Sequence, residues 1–410
     1  MYILDFLGQG GPSIAGVAVE HRLLCSGELL NARVLAADWR KSDVTRVLSG
    51  APFELFVISR PFDAYPQELS LRFSLNYEIE KAETERASFS RILLPDEEIV
   101  EDLCSVLTLL ARRLIVPAGK TREQYGNDHP ELGSFGRDLP LPLTDVRPTI
   151  WKPRQSVMVI KGPDEQEVIS FQPPPVEVFP DLLNTFLTKL PSLPEAQRIV
   201  RAARLYREAM ELIETRPDST YQLLISMAET ISNTALPDFR PTREEILKAE
   251  RSVLNRALEF GLNDEQAEEL ALEAARGNPW TKRKFTAFLS GRMKPKDLLR
   301  KDTVFQPVEQ FCPAPTKFSK ALGNIYDLRS GSLHEGKSLP RATRIGIGSM
   351  VSARDLPLNP LDAPEVPPVV WFERVVSLAV RRFLLEYVNL PASPFGDPDL
   401  SNAAQAPVGG

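Results

Sequence analysis

The sequence predicts an α+β protein: a β-rich segment over residues 1–175, followed by an all-helical segment to about residue 390. Three observations carry this. "FELFVISRPF" (53–62) and "ELSLRFSLNYEIE" (68–80) alternate or run apolar and are rich in β-branched and aromatic residues, as strands are. Beyond residue 180, apolar residues recur at helical spacing, beginning with Leu182, Leu183, Phe186, Leu187 and Leu190. Between the two textures stands "QPPPVEVFP" (172–180), whose stacked prolines can continue neither helix nor sheet.

In the first segment "GQGGPSIAG" (8–16) superficially resembles a phosphate loop. It lacks the Lys-Ser/Thr of a P-loop and the GxGxxG order, so it reads as a turn. One helix interrupts the strands. Asp96 can cap "EEIVEDLCSVLTLLARRL", with acids in its first turn and arginines in its last, as the macrodipole favours. Residues 117–150 are rich in Pro, Gly and Asp and read as a long surface loop. "SVMVIKGPDEQEVISFQ" (156–172) reads as a hairpin around Gly-Pro-Asp.

The helical segment, 176–390, opens with the leucine-rich run. "PEAQRIVRAARLYREAMELIET" (194–215) carries an apolar stripe from Ile199 to Ile213. Asp218 or Ser219 can cap "TYQLLISMAETISNTAL". Two helices are expected at about 242–260 and 264–276, the second with a capping pattern. One or two short basic helices are expected over 281–301, a helix over 316–336 stopped by Gly336, and an apolar helix over 367–388. Residues 391–410 read as a disordered tail.

Composition bounds the function. The 410 residues carry 43% hydrophobic and 25% charged content, ordinary for a globular protein with a sizeable core. A net charge of -6 excludes a generic polyanion binder and demands a local basic patch for any nucleic-acid contact. Cys25, Cys104 and Cys312 are odd in number and show no CxxC spacing, which excludes a disulfide framework and fits a reducing cytoplasm. No signal peptide and no membrane span is expected. His21 and His129 lack neighbouring ligands, so no metal site is expected.

The candidate chemistry lies in "IYDLRSGSLHEG" (325–336), which holds one of only three histidines. Metal-free RNA cleavage needs a group near neutral pKa to move a proton at the 2'-hydroxyl or the leaving 5'-oxygen, and histidine serves. It also needs fixed positive charge on the scissile phosphate, for which the arginine fork is suited. Arg329 and His334 are five residues apart, and in an ideal helix that turns them roughly 140° from one another. Cooperation therefore requires a distorted last turn, for which Gly331 offers an opening, or a second copy of the chain. The bland alternative is that Arg329 pairs with a surface carboxylate and His334 bonds the fraying helix end.

The wording "YDLRSGSLHEG", late in a helical segment and followed by a final apolar helix, resembles the HEPN superfamily, and within it the Apea-like HEPN proteins. "RIVRAARLYREAM" and "TYQLLISMAETIS" look like its first two core helices. The resemblance covers about 178–390, with 236–312 as an insertion. It implies that Arg329 and His334 act at the 2'-hydroxyl and scissile phosphate in metal-independent RNA cleavage, with no cofactor. Ser330 stands where the family often has Asn, Asp or His. Tyr326 and Asp327 lie within a turn of Arg329. Asp327 could orient or neutralise a basic group, but reads more readily as an ordinary exposed helix acid. Glu229 on the second core helix could contact the arginine or be a buried structural partner or a solvated acid. The resemblance further implies an RNA substrate, with transfer RNA one candidate, and a homodimer through the helical domain. It also implies a role in antiphage defence (abortive infection) or stress, released by a trigger ligand or phage protein that residues 1–175 sense. A non-catalytic helical module binding RNA, nucleotide or a protein partner is the alternative.

The best RNA-contact segment is "KRKFTAFLSGRMKPKDLLRK" (282–301). Lys282, Arg283, Lys284, Arg292 and Lys294 supply charge, and Phe285 and Phe288 stand between them as a stacking surface. The alternative is a solvated helix whose phenylalanines are core.

Overall fold

Strict alternation fixes the first strand. In β1 (Val17–Cys25) Val19, His21, Leu23 and Cys25 are buried, while Glu20, Arg22 and Leu24 between them are not. The computed structural model describes residues 17–27, 29–30, 46–48, 53–57, 67–75, 96–124, 137–138, 157–160, 166–169, 176–213, 215–276, 280–294, 297–298, 313–335 and 366–396, together with positions 3, 4, 7 and 400. β2 (Leu29–Leu30), β3 (Arg46–Leu48), β4 (Phe53–Val57), β5 (Gln67–Leu75), β6 (Ile115–Gln124) and β7 (Arg137–Asp138) follow. A six-stranded antiparallel sheet runs in the order β3-β4-β5-β1-β6-β7. The hairpin expected over 156–172 is β8 (Val157–Ile160) with β9 (Gln166–Ile169), paired antiparallel. β10 (Val176–Glu177) lies parallel to β2.

One expectation fails at β6. The composition of residues 117–150 predicts a loop, yet the chain from Ile115 to Gln124 pairs with β1 along its length. Pro117 and Gly119 disguise the strand. The register skips Ala118 and Thr121, and these two bulges accommodate both residues, with Gly119 at φ 114. Residues 8–16 and His129 lie outside the described residues, as does Cys312.

Helix α1 (Asp96–Ala111) is buried on nearly every side, because the sheet covers one flank and the helical segment the other. Its arginines, expected within the last turn, fall just beyond it, because the helix ends at Ala111. Arg112 takes a left-handed conformation (φ 52), turns the chain into β6, and is itself buried with Arg113. The helical segment comprises α2 (Pro180–Lys189), α3 (Ala196–Leu212), α4 (Pro217–Ala235), α5 (Arg243–Ala249), α6 (Arg251–Glu259), α7 (Asp264–Ala274), α8 (Thr281–Arg292), α9 (Phe318–Glu335) and α10 (Val369–Val388). α4 starts at Pro217 with no side-chain cap; proline's fixed φ suits the first helical position, so Asp218 and Ser219 fall inside the helix. The expected 242–260 helix divides at Glu250, and both α5 and α7 carry capping boxes, Thr242 with Glu245 and Asn263 with Gln266.

α3 and α4 pack as a hairpin, α1 lies against α3, and α10 packs on α4 and α8. A single apolar core runs across the proline-rich stretch, from Leu23 and Leu71 in the sheet, through Leu103 and Leu107 of α1, to Ala203, Leu224 and Val376. α8 belongs to that core, with Phe285, Phe288 and Leu289 fully buried, whereas α5–α7 bury little beyond Ala257, Ala267 and Ala271. The tail expectation also needs correction. Phe395 is buried beside Val178, the Phe179 N–H donates to the Pro394 carbonyl (2.9 Å), and Gly396 N–H donates to the Glu177 carbonyl (2.7 Å). An apolar side chain in a run of Pro, Gly and Asp found a partner that composition does not reveal. Residues 401–410 lie outside the described residues. No described helix is long and apolar enough to cross a membrane.

Two charged groups pin α1. At its start His21 and Lys120 are register partners on β1 and β6, so their side chains share a face. Both meet Asp96 Oδ2, His21 Nε2 at 2.9 Å and Lys120 Nζ at 2.7 Å. Burial by itself raises the Asp96 carboxyl, but hydrogen bonds from His21 and Lys120 outweigh it and hold the carboxyl below its ordinary value. A lowered folded-state value stabilises the fold above the unfolded value of about 3.9 and loses that contribution as pH falls through the folded value. Asp96→Asn is therefore expected to be less stable than wild type at neutral pH, with the gap closing in acid. Urea titrations at about pH 7 and about pH 3 check this.

At the far end of α1, Arg112 donates from Nε (3.0 Å) and Nη2 (2.5 Å) to the two carboxylate oxygens of Glu373 in the first turns of α10. The Tyr206 hydroxyl of α3 donates to the same carboxylate at 2.7 Å. All three side chains are almost completely buried.

Candidate functional site

α9 begins after a tight turn at Pro315–Lys317. Phe318, Ala321, Leu322 and Ile325 recur at helical spacing and are its buried face, turned onto α4 and α8. Phe318 meets Trp371 of α10 edge-on, with centroids 5.8 Å apart. This seating presents the next turn, Tyr326 to Arg329, beside Glu229 in the C-terminal half of α4.

There Glu229 of α4 accepts two hydrogen bonds on Oε1, from Arg329 Nη1 at 2.9 Å and from the Tyr326 hydroxyl at 2.7 Å. The Arg329 side chain is 24% exposed and that of Glu229 14%, so the pair is partly dried yet open to solvent on one side. Burial first, and the hydrogen bond to Glu229 second, push the Tyr326 phenol up to about 12, so it stays a proton donor at working pH. Arg329 is thus held through Nη1, its Nε is buried with no hydrogen-bond partner among the described residues, and the exposed quarter of the side chain is what faces solvent. A guanidinium so fixed is oriented, still cationic, and able to meet an anion from the solvent side.

Asp327 points elsewhere. Both its oxygens take Lys282 Nζ of α8, at 2.5 and 2.6 Å. The pair is exposed, 44% for Lys282 and 64% for Asp327. Lys282→Ala is expected to change stability by less than about 1 kcal/mol, measured by urea denaturation, because exposed ion pairs gain little.

The helix runs unbroken through Gly331 to Glu335, so the distorted last turn is not formed. The side chains of Ser330 and His334 lie outside the described residues, although their backbone is helical. Within one continuous helix the two positions remain roughly 140° apart about the axis.

The basic segment behaves as the bland alternative had it where the phenylalanines are concerned. Phe285 and Phe288 are core and offer no stacking surface. Three of the five cations are engaged within the fold. Lys282 holds Asp327. Arg283 donates to the Glu245 carbonyl at 2.6 Å and lies 5.0 Å over Trp280. Arg292 lies 4.8 and 5.2 Å over the Phe288 and Phe383 rings and reaches Glu386. Lys284 is half-buried, and Lys294 is exposed.

Sequence reasoning placed Glu229 near Arg329 but did not find that Tyr326 shares the same oxygen. Their spacing of three residues puts Tyr326 and Arg329 on neighbouring positions of one helix face, which is the signal that was present. The Lys282–Asp327 bridge left no such trace. Comparison with family models, curated proteins and solved structures returns no match to this chain. What fold and site define is an α+β protein with an oriented, solvent-reachable arginine on its penultimate described helix.

Proposed function

We propose that this chain is a metal-independent RNA endonuclease of HEPN type, acting in bacterial antiphage defence or a related stress response. The observation that carries the reading is Arg329, held by Glu229 and Tyr326 across α4 and α9 in the helix that bears the RSGSLH run. In this reading Arg329 offsets charge developing on the scissile phosphate. His334 moves the proton between the 2'-hydroxyl and the leaving oxygen. A continuous helix separates them, so the working site takes Arg329 and His334 from facing copies of α9 in a homodimer, and the helical segment is a HEPN-like bundle. RNA, including transfer RNA, is the substrate class. The work lies in the cytoplasm.

The competing reading is a HEPN-like module that binds RNA, nucleotide or a protein partner without cutting. One observation favours it: Glu229 already offsets the charge of Arg329. Cleavage of total and transfer RNA by the full chain in EDTA, with growth arrest under phage challenge, separates the two. The nuclease reading expects both and expects a dimer in solution. Folded protein that neither cuts nor arrests, or cutting that EDTA abolishes, overturns the mechanism.

A further inference from the structure

Three packed contacts in series run from α1 to Tyr326, and the carboxylate of Glu229 links Tyr326 to Arg329. Arg112, at the turn between α1 and β6, clasps Glu373 of α10. The residue before Glu373 is Phe372, whose ring stacks on Tyr221 of α4 (5.4 Å) and leans on Phe285 of α8 (6.3 Å). Phe285 in turn tilts against Tyr326 at 5.5 Å, and Tyr326 shares Glu229 with Arg329. All the members from Arg112 to Phe285 are buried, so none can shift without moving its neighbour.

We propose that the Arg112–Glu373 ion pair is the joint through which α1 and the sheet packed on it set the position of Arg329. Glu373 and Phe372 are neighbours in one helix turn. A displacement of α1 that loosens the carboxylate also moves the phenyl ring, and the ring bears on the wall behind Tyr326. The start of α10 is a second fixed point, since the Tyr221 hydroxyl donates to the Pro367 carbonyl just before it. A ligand that shifts the sheet or α1 is thereby given a mechanical route to the guanidinium with no contact to it. A bidentate buried pair suits such a joint, because it favours one geometry far more sharply than apolar packing does. As regulation of an RNA-cutting site, this rests on the reading above.

The test is amide hydrogen exchange of the full chain over 322–330, referenced to β1, in Arg112→Met/Glu373→Met. Apolar partners of similar size keep the helices seated where a single replacement risks unfolding. Exchange over 322–330 is expected to rise about tenfold or more relative to β1. In a Phe285→Leu background the same double replacement is expected to have no further effect, since the intermediate contact is already cut. Unchanged exchange over 322–330, a rise shared equally by β1, or an undiminished effect in the Phe285→Leu background overturns the proposal. Exchange needs no RNA cleavage, so this outcome is independent of whether the protein is a nuclease.

Discussion

If the chain cuts RNA as proposed, Arg329→Ala is expected to lower cleavage by about 10²–10³-fold while leaving the protein folded. The magnitude follows from removing one oriented cation that faces charge developing only in the transition state. Folding survives because Glu229 keeps the Tyr326 hydroxyl and is not left as an isolated buried charge. Arg329→Lys restores charge without the planar fork, so a partial recovery separates geometry from electrostatics. His334→Ala is expected to cost about 10²–10⁴-fold, the range for a lost general acid or base. Single-turnover cleavage with circular dichroism as a folding control checks all three. Loss of binding alone, with an unaltered rate constant for bound RNA, would instead favour the non-catalytic reading.

Glu373→Ala is expected to destabilise the protein by about 3–5 kcal/mol, a large share of a typical total of about 5–15 kcal/mol. The cost is not the lost attraction. It is the guanidinium of Arg112 left in a dry interior deprived of its bidentate acceptor, with the Tyr206 hydroxyl losing the same carboxylate. Arg112→Met/Glu373→Met removes both charges together and is expected to recover most of that loss. Urea midpoints with unchanged slope report both values. If the single and double replacements cost the same, the penalty is one of shape rather than charge.

How much of this was legible depends on whether the deciding interaction is local. The strands at 53–57 and 67–75, the 157–169 hairpin and helices α2 to α10 were readable because period and turn chemistry act over a few residues. β6 was not. Pro117 and Gly119 are loop signals that two bulges opposite β1 absorb, and a bulge is a property of the pair. The burial of Phe395 and the Arg112–Glu373 clasp were hidden for the same reason, since each partner lies far away in sequence. At the candidate site, Arg329 and Glu229 could be brought together only through the resemblance that makes α4 a core helix. The coverage of Phe285 and Phe288 could not, because interleaved basic and aromatic residues look alike whether the rings meet bases or a core.

The clasp also has a consequence in time. Arg112 and Glu373 are 261 residues apart, so at about 5–20 residues per second the ribosome takes roughly 13–50 s to deliver the carboxylate after the guanidinium. Over that interval the nascent sheet and α1 lack the bidentate acceptor of their buried Arg112 guanidinium. Phe372 arrives in the same moment, and the wall behind Tyr326 closes with it. A nascent chain thus carries Arg329 before it carries the scaffold that steadies it, and the wall behind the site is complete only once residues 372 and 373 have been added.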